Sequence, residues 1–343
     1  MLFRSGFYEG ETADLIVAEM ARGGGIITLD DLKNYEPVER EPVQFSYKEY
    51  DIVSMGLPSS GGVLLQQMFG MLEAFPIKEY GFQSVEAVQL MVEISRRAYA
   101  DRTEHMGDPD FVSVPLDKLL DKGYILQRMS DFTPGKPTPS SAVQGGLAQA
   151  QEKEETTHLS VVDEEGNAVS VTTTINGLYG SRVVVGGAGF ILNNEMDDFS
   201  AKPGAPNLFG LLGTESNAIE PGKRMLSTMT PTIVLKDKKP FLVLGTPGGS
   251  TILTSVFQTI INIIEFDLSV EDAINNPKFH HQWQPDLIYV EQGFPKSVKN
   301  SLEEMGYKFK VRSSIGQTEV IKISDNGIEA VGDKRGDDSA AGY

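Results

Sequence analysis

The first absence in this sequence is cysteine, which excludes both disulfide bonds and thiolate metal sites. No stretch reaches the roughly 20 apolar residues of a membrane-spanning helix, since the longest apolar passage, 251–266, is interrupted by Gln, Thr and Asn. Residues 1–16 lack the apolar centre of a signal peptide. Positive charge is also scarce: 30 Lys and Arg against 48 Asp and Glu give a net charge of −18. This balance argues against nucleic acid and anionic membrane surfaces as partners.

What is present is the composition of an ordinary globular protein, with 343 residues, of which 40% are hydrophobic and 23% charged. A chain of this length can bury a sizeable core as one large domain or two. Residues 133–155 are the exception, because they are rich in Pro, Gly, Gln and charge and have no apolar period. That composition predicts an exposed, flexible linker.

Directly after this linker the sequence predicts a β-hairpin that begins at a threonine. Two alternating β-branched runs, 159–163 and 167–175, are joined by Glu164-Glu-Gly166. Cleavage between Glu155 and Thr156 would leave Thr156 with a hydroxyl and a free α-amine. An α-amine has a pKa of about 7.7–8.0, so its neutral fraction can take the hydroxyl proton. By itself the heptapeptide 154–160 favours a plainer interpretation, in which Thr156 is simply a good strand residue.

Apolar periodicities predict the remaining elements. Helices are predicted at 11–22, 28–35, 63–75, 84–102, 115–129, 250–266, 270–275 and 295–305, and strands at 43–47, 50–55, 182–185, 190–193, 232–236, 240–245, 309–312, 318–323 and 328–331. Ser59 and Ser60 precede one helix, and we interpret them as caps, because the Gly-x-Ser-x-Gly frame of a nucleophile is not met. Strands clustered centrally, with helices before and after them, predict a layered α+β domain.

Several motifs in register, such as Thr156-Thr-His-Leu-Ser160 and Gly245-Thr-Pro-Gly-Gly-Ser250, resemble the γ-glutamyltranspeptidase family. They lie at 7–10, 24–31, 58–62, 98–103, 156–163, 192–204, 223–232, 245–250 and 340–343. Members of this family normally have a substantial further N-terminal stretch, and the match begins part-way through their large subunit. The resemblance divides the chain into 1–132, a mainly helical large-subunit-like region; 133–155, the linker before cleavage; and 156–343, a strand-rich, small-subunit-like catalytic region.

The resemblance implies an α+β fold, the αββα sandwich of N-terminal-nucleophile hydrolases. It implies self-cleavage between Glu155 and Thr156 into two chains. Thr156 would then form a γ-glutamyl ester that passes to water or to an amino acid or dipeptide. The implied substrates are γ-glutamyl amides such as glutathione. The resemblance implies neither a cofactor nor a metal. The expected location is periplasmic or extracellular, with no nucleic-acid partner and no membrane span in this chain.

The first group of residues that would have to meet Thr156 lies at the end of the second hairpin strand. Antiparallel pairing brings the end of one strand beside the start of the other, so Thr174 is expected within hydrogen-bond reach of Thr156. By resemblance, Thr174 orients the nucleophile and Asn176 lies on the substrate side. Without the resemblance, a cross-strand threonine pair is more often structural.

Gly248 and Gly249 form the second group, between an apolar strand and the helix that opens at Ser250. Backbone N–H groups at such a helix start suit a developing oxyanion. A phosphate cradle is the rival interpretation, but the Gly-x-x-x-x-Gly-Lys pattern is not met. In the family, this glycine pair matches the oxyanion hole.

The third and fourth groups would bind the α-amino-acid end of the substrate. By resemblance, Glu195 and Asp198 bind the α-ammonium, although unaided this acidic run indicates a solvated loop. Ser227 and Thr228 would donate to the α-carboxylate, with Thr228 in place of a serine that is usual in the family. The threonine keeps the donor hydroxyl.

Other features of the family bear on the site. Its bidentate carboxylate clamp is an arginine in the N-terminal portion beyond this chain, and hydroxyls do not easily replace such a contact. Arg224 is no substitute, because the family has an arginine there besides its clamp. Residues 201–214 match a lid, with Phe209 where some relatives have tyrosine. A structural role is expected for His158, His280, His281 and Trp283.

Two alternatives to a γ-glutamyltransferase stay open. One is a relative of the same fold that acts on another amide, such as a cephalosporin side chain or poly-γ-glutamate. The acids Glu195 and Asp198 favour an amino-acid-like acyl group, and substrate profiling would discriminate. The other is an inactive fragment or binding subunit that needs a separate N-terminal polypeptide.

Overall fold

A computed structural model describes residues 2–143, 156–205, 207 and 210–342. The chain divides into a smaller unit, residues 1–40 with 175–195, and a larger unit, residues 41–174 with 196–343. Glu155, Phe209 and residues 144–154 of the predicted linker lie outside the described residues. These units are defined by compactness, so the large- and small-subunit-like regions inferred from the sequence stay a prediction.

The smaller unit has helices at its N-terminal end, α1 (Leu2–Tyr8), α2 (Glu11–Gly23) and α3 (Leu29–Asn34). Helix α2 was expected at nearly these bounds from its apolar stripe. Thr28 begins α3 with a capping box, in which its hydroxyl accepts from Asp31 N and the Asp31 carboxylate accepts from Thr28 N. The start signal at Thr28 is therefore confirmed.

The remainder of the smaller unit, 175–195, folds back on itself without regular strands. The strands predicted at 182–185 and 190–193 are wrong, because the described chain forms only an isolated bridge there, between Val184 and Ile191. Gly187 and Gly189 have φ of 85° and 77°. Backbone hydrogen bonds join the two runs, from Ser181 N to Leu192 O, from Leu192 N to Val183 O and from Val185 N to Phe190 O, but they complete only this one bridge.

The larger unit contains an antiparallel sheet of six strands. The strands of the larger unit are β1 (Val43–Tyr47), β2 (Tyr50–Ser54), β3 (Thr156–Val162), β4 (Ala168–Thr174), β5 (Thr232–Lys236), β6 (Lys239–Gly245), β7 (Phe279–His280), β8 (Ile288–Glu291), β9 (Phe309–Arg312), β10 (Glu319–Ser324) and β11 (Gly327–Val331). The order in the large sheet is β1-β2-β5-β6-β10-β11, while β3-β4 and β7-β8-β9 form smaller sheets. Strands β7 and β8 were not predicted from the sequence.

Helices cover one face of the six-stranded sheet. The helices of the larger unit are α4 (Gly61–Leu72), α5 (Ile77–Tyr80), α6 (Val85–His105), α7 (Leu116–Leu119), α8 (Lys122–Gln127), α9 (Thr251–Ile264), α10 (Val270–Asn275) and α11 (Lys296–Met305). Helices α4 and α9 pack on the sheet, and α6 packs on α4, around one apolar core. The single helix predicted at 115–129 is wrong: the chain breaks after Leu120, and Asp121 caps α8 through Tyr124 N at 2.8 Å.

The hairpin of β3 and β4 lies on the opposite face of this sheet. Ser170 Oγ donates to Leu244 O of β6 at 2.9 Å and accepts from Thr232 N of β5 at 3.1 Å. The outer face of the hairpin is exposed and apolar, comprising Leu159, Val161, Val169 and Val171. The layers of this unit run helix, sheet, sheet, which are three of the four layers of the predicted αββα sandwich. Among the described residues, no helix combines the length and apolarity needed to cross a membrane.

Candidate functional site

Two threonine hydroxyls meet where the hairpin begins and ends. Thr156 and Thr174 are direct partners in the antiparallel ladder. Thr156 Oγ1 donates to Thr174 Oγ1 at 3.3 Å. The proximity predicted from strand pairing is therefore present. A hydroxyl that donates to its neighbour keeps its own lone pairs available for attack on a carbonyl carbon.

His158 stands on the same face of β3 as Thr156, two residues further along. Its Nδ1 lies 2.8 Å from Thr172 Oγ1 and its Nε2 lies 3.1 Å from Ser160 Oγ. Burial lowers the pKa of His158 to about 4, so the ring is neutral at physiological pH. The imidazole fills the space over Gly245, where an added Cβ would overlap the ring at Cε1. This position fits the expected structural role.

The glycine turn follows β6 and precedes α9. Gly248 has φ of 137° and Gly249 has φ of 49°, a conformation that side-chain-bearing residues rarely adopt. The Gly248 carbonyl accepts from both Thr251 N and Thr251 Oγ1 at 2.8 Å. Within the described part of the chain, the N–H groups of both glycines make no backbone hydrogen bond. They are thus available to a substrate oxygen.

Ser227 and Thr228 differ in how their hydroxyls are used. Ser227 Oγ accepts from Met229 N at 3.1 Å, which leaves its hydrogen available to a ligand. Thr228 Oγ1 donates to Gly249 O at 2.7 Å. A hydroxyl has one hydrogen, so Thr228 can donate to a substrate carboxylate only if this bond breaks. In this structure Thr228 supports the glycine turn instead.

Asp198 ends a short 3₁₀ turn, Glu195–Asp198, and is tied to the Ser227 segment by a residue that sequence reasoning missed. Asn217 Nδ2 donates to Asp198 O at 2.8 Å, and Leu226 N donates to Asn217 Oδ1 at 2.9 Å. One buried amide therefore bridges the acidic turn and the hydroxyl segment. Its sequence neighbourhood, Glu215-Ser-Asn-Ala, gives no signal of this role.

Asn176 and Glu195 belong to the smaller unit. Asn176 is buried, has φ of 70°, and donates from Nδ2 to Asn194 O at 3.2 Å. Glu195 N donates to Asn193 Oδ1 at 3.0 Å. Burial raises the pKa of the Glu195 carboxyl. The substrate roles of both residues stay predictions.

The remaining features predicted near the site are the lid segment 201–214 and the two buried histidines. In the described part of the lid segment, Gly204 N donates to Gly213 O at 2.9 Å, and its role as a lid stays a prediction. Burial lowers the pKa of His280 to about 3 and that of His281 to about 4, so both are neutral. No group of three or more His, Asp or Glu side chains suited to a metal ion occurs among the described residues.

Known proteins resemble this chain along most of its length. Residues 4–343 match the family described as gamma-glutamyltranspeptidase. The chain is 47% identical over 339 residues to the glutathione hydrolase proenzyme of Escherichia coli K12, covering 98% of this chain but 58% of that protein. It therefore spans little more than half the length of this relative.

Two solved structures are similar as well. The gamma-glutamyltranspeptidase from Pseudomonas nitroreducens complexed with L-DON is 47% identical with a TM-score of 0.53, covering 55% of this chain and 99% of that chain. A cephalosporin acylase from Bacillus halodurans is 25% identical with a TM-score of 0.82, covering 99% of this chain and 60% of that one. These similarities confirm the α+β sandwich of N-terminal-nucleophile hydrolases.

Proposed function

The chain belongs to the γ-glutamyltranspeptidase family, and from that premise we propose that it is the catalytic part of a self-cleaving γ-glutamyl acyltransferase and glutathione hydrolase. The observation that carries the proposal is the hydroxyl pair of Thr156 and Thr174, at the open end of the hairpin. Family membership supports glutathione-like γ-glutamyl amides as substrates, with water, an amino acid or a dipeptide as acceptor.

Self-cleavage would begin when Thr156 Oγ attacks the carbonyl carbon of Glu155. The C–N bond to Thr156 breaks as the amide becomes an ester, and the nitrogen takes the hydroxyl proton. This shift already frees the α-amine of Thr156. Water then hydrolyses the ester, which releases the Glu155 carboxylate and restores the Thr156 hydroxyl. That amine serves as base for the same hydroxyl in each later turnover.

Turnover would proceed in two acyl transfers. Thr156 Oγ attacks the γ-carbonyl of the substrate, and the oxyanion that forms is held by the N–H groups of Gly248 and Gly249. The α-amine passes the proton to the leaving amine, and a γ-glutamyl ester of Thr156 remains. Water or an acceptor amine then attacks this ester and restores the hydroxyl. Ser227, Asp198 and Glu195 would hold the α-carboxylate and α-ammonium.

Intact-mass analysis of the purified chain at neutral pH tests the proposal, with Thr156→Ala beside it. We expect the parent to split into fragments 1–155 and 156–343 and to release nitroaniline from γ-glutamyl-p-nitroanilide. The variant should do neither, because it lacks the nucleophile. Cleavage or turnover that survives in Thr156→Ala would refute a role for this hydroxyl.

The acylase similarity favours a second candidate, an amidase for another acyl group such as a cephalosporin side chain or poly-γ-glutamate. The two acids at Glu195 and Asp198 support an α-amino-acid end on the acyl group, which favours the first candidate. Rates on γ-glutamyl, glutaryl and poly-γ-glutamyl amides distinguish them. Preference for glutaryl amides, which lack the ammonium, would favour the acylase.

A third candidate is a chain that acts only with a further polypeptide segment. The exposed apolar face of the hairpin, where Leu159 is 60% and Val169 is 51% exposed, favours it. Supplying the N-terminal part of the E. coli relative in trans should then raise activity and thermal stability. No gain in either would count against this candidate.

The family also supports a periplasmic or extracellular location. Fractionation of cells that produce the natural protein tests this. Recovery with cytoplasmic markers would contradict it.

A further inference from the structure

Arg102, in helix α6, is a buried cation that the proposed mechanism does not use. It is 3% exposed, and burial lowers the pKa of its guanidinium to about 10, opposed by attraction to Tyr99 and Asp198. It is therefore charged at neutral pH. A buried charge costs free energy unless its surroundings compensate, so its partners indicate what it does.

Two other arginines of the same helix show the ordinary arrangement. Arg96 and Arg97 are equally buried, and both form ion pairs with Glu93. Asp286 and Asp131 are further carboxylate partners of Arg96 and Arg97, respectively. Arg102 instead donates to neutral oxygens: Nε to Ser60 Oγ at 3.1 Å and Nη2 to Leu226 O at 3.3 Å. Its bonds lead to the segment that carries Ser227.

Ser60 extends this contact to Ser227. Ser60 Oγ donates to Ser227 O at 2.8 Å, and Ser60 N donates to the same carbonyl at 2.9 Å. Ser227 N in turn donates to Pro58 O at 2.9 Å. The serines at 59–60 thus form a parallel bridge with Ser227. The peptide groups on both sides of the Ser227 side chain are fixed by Arg102 and its partner Ser60.

The same segment also reaches the glycine turn. Thr228 Oγ1 donates to Gly249 O, so a displacement of Leu226 and Ser227 would be passed to the turn. Asn217 holds the N–H of Leu226 from the other side. Arg102 is therefore the charged anchor of a segment that joins the predicted carboxylate donor to the predicted oxyanion donors.

We propose that Arg102 is a positioning residue for recognition of the substrate α-carboxylate, acting through Ser60 and Leu226 on the hydroxyl of Ser227. This inference rests on the proposed γ-glutamyl activity. Arg102 contacts no reacting atom; it fixes the direction of the Ser227 donor and adds positive charge behind that segment. The ligand class that it selects is an acyl donor with a carboxylate on its α-carbon.

The test compares two anilides that differ by that carboxylate alone. γ-Glutamyl-p-nitroanilide carries it, and 4-aminobutyryl-p-nitroanilide keeps the amine and chain without it. In Arg102→Lys, which retains the charge but loses the planar fork, we expect kcat/KM for the first anilide to fall about tenfold or more, mainly through KM. For the second anilide, measured as substrate or as competitive inhibitor, we expect a change of less than about twofold.

Arg97→Lys is the matched control, because it removes an equally buried guanidinium that has no contact with the Ser227 segment. Arg97→Lys should lower the melting temperature. It should leave unchanged the ratio of kcat/KM for γ-glutamyl-p-nitroanilide to kcat/KM for 4-aminobutyryl-p-nitroanilide. Ser60→Ala is the milder second variant, needed if Arg102→Lys does not fold. It should lower this ratio, as Arg102→Lys does.

The outcomes separate the two proposals. A parent chain that releases nitroaniline from neither anilide refutes the proposed function and this inference with it. Suppose instead that the parent is active. If kcat/KM then falls equally for both anilides in Arg102→Lys and in Ser60→Ala, the positioning role alone is refuted. A fall in kcat/KM for the carboxylate-bearing anilide alone, seen in either variant but not in Arg97→Lys, supports the positioning role.

Discussion

In the hairpin β3–β4, the polar face is packed and the apolar face is exposed. The face against the six-stranded sheet carries threonine, serine and histidine, whereas the face turned away carries exposed leucine and valine. Antiparallel sheets normally pack their apolar face and leave the polar one to solvent. The inner face is therefore set by directional hydrogen bonds, and the outer face is an apolar patch suited to another polypeptide.

Two adjacent threonines, one on each face, test whether the two faces differ in function, and we expect the largest effect here. Thr174 faces inward opposite Thr156, and Thr173 is exposed on the outer face. We expect Thr174→Ala to lower turnover and self-cleavage about 10²-fold or more, as for loss of a group that orients proton transfer. Thr173→Ala should change neither by more than about twofold. Equal effects on the rates would show that the faces do not differ in function.

The buried imidazole makes the inner face sensitive to pH. The folded pKa of His158, about 4, lies below the ordinary 6.5. Its contribution to stability is thus complete above pH 6.5 and is lost as the pH falls toward 4, by about 3 kcal/mol in all. Denaturant unfolding of the parent and of His158→Gln between pH 7 and 4 should show a shallower slope for the variant. Parallel curves would contradict this.

Close packing of the inner face is tested at Gly245. An alanine there would drive its Cβ into the His158 ring, so Gly245→Ala should cost about 1–3 kcal/mol of unfolding free energy. Adding His158→Ala removes the clash, and the double variant should be more stable than the two single losses predict. If the losses of unfolding free energy in the two single variants simply add in the double variant, measured by chemical denaturation, the clash between residue 245 and His158 is contradicted.

The outer face should give the smallest effect on the chain by itself. Leu159→Lys and Val169→Lys replace exposed side chains, so we expect the unfolding free energy to change by about 0.5 kcal/mol or less. Self-association at high concentration, followed by light scattering, should decrease because the apolar patch is interrupted. A loss comparable with that of Gly245→Ala would mean that this face is already covered.

Features encoded by neighbouring residues could be predicted from the sequence. The hairpin follows from the alternation of 159–163 and 167–175, and the Thr156–Thr174 contact follows from antiparallel pairing alone. Most strands of the large sheet and the long helices were predicted within a few residues, because each carries its own apolar period.

Features that depend on distant partners could not be predicted. Ser60 was expected to cap α4, but its φ and ψ of −72° and −14° are already helical, and its hydroxyl bonds to Ser227 instead. Ser59 likewise donates to Met229 O, although it also accepts from Gly61 N. The bond from Thr228 to Gly249 is equally long-range. No local pattern distinguishes these serines and threonines from ordinary caps and strand residues.

The pairing of β2 with β5 has a consequence for the refolding of the mature protein. Every residue of β2 precedes the predicted cut after Glu155, and every residue of β5 follows it, yet they are neighbours in one sheet. Separation of the two polypeptides would require the sheet to be torn apart. Before the cut, folding is a first-order reaction of one chain; after it, recovery from the denatured state becomes second-order and depends on concentration. The cut would thus make the stability of the folded protein depend on its concentration, as it does for a heterodimer.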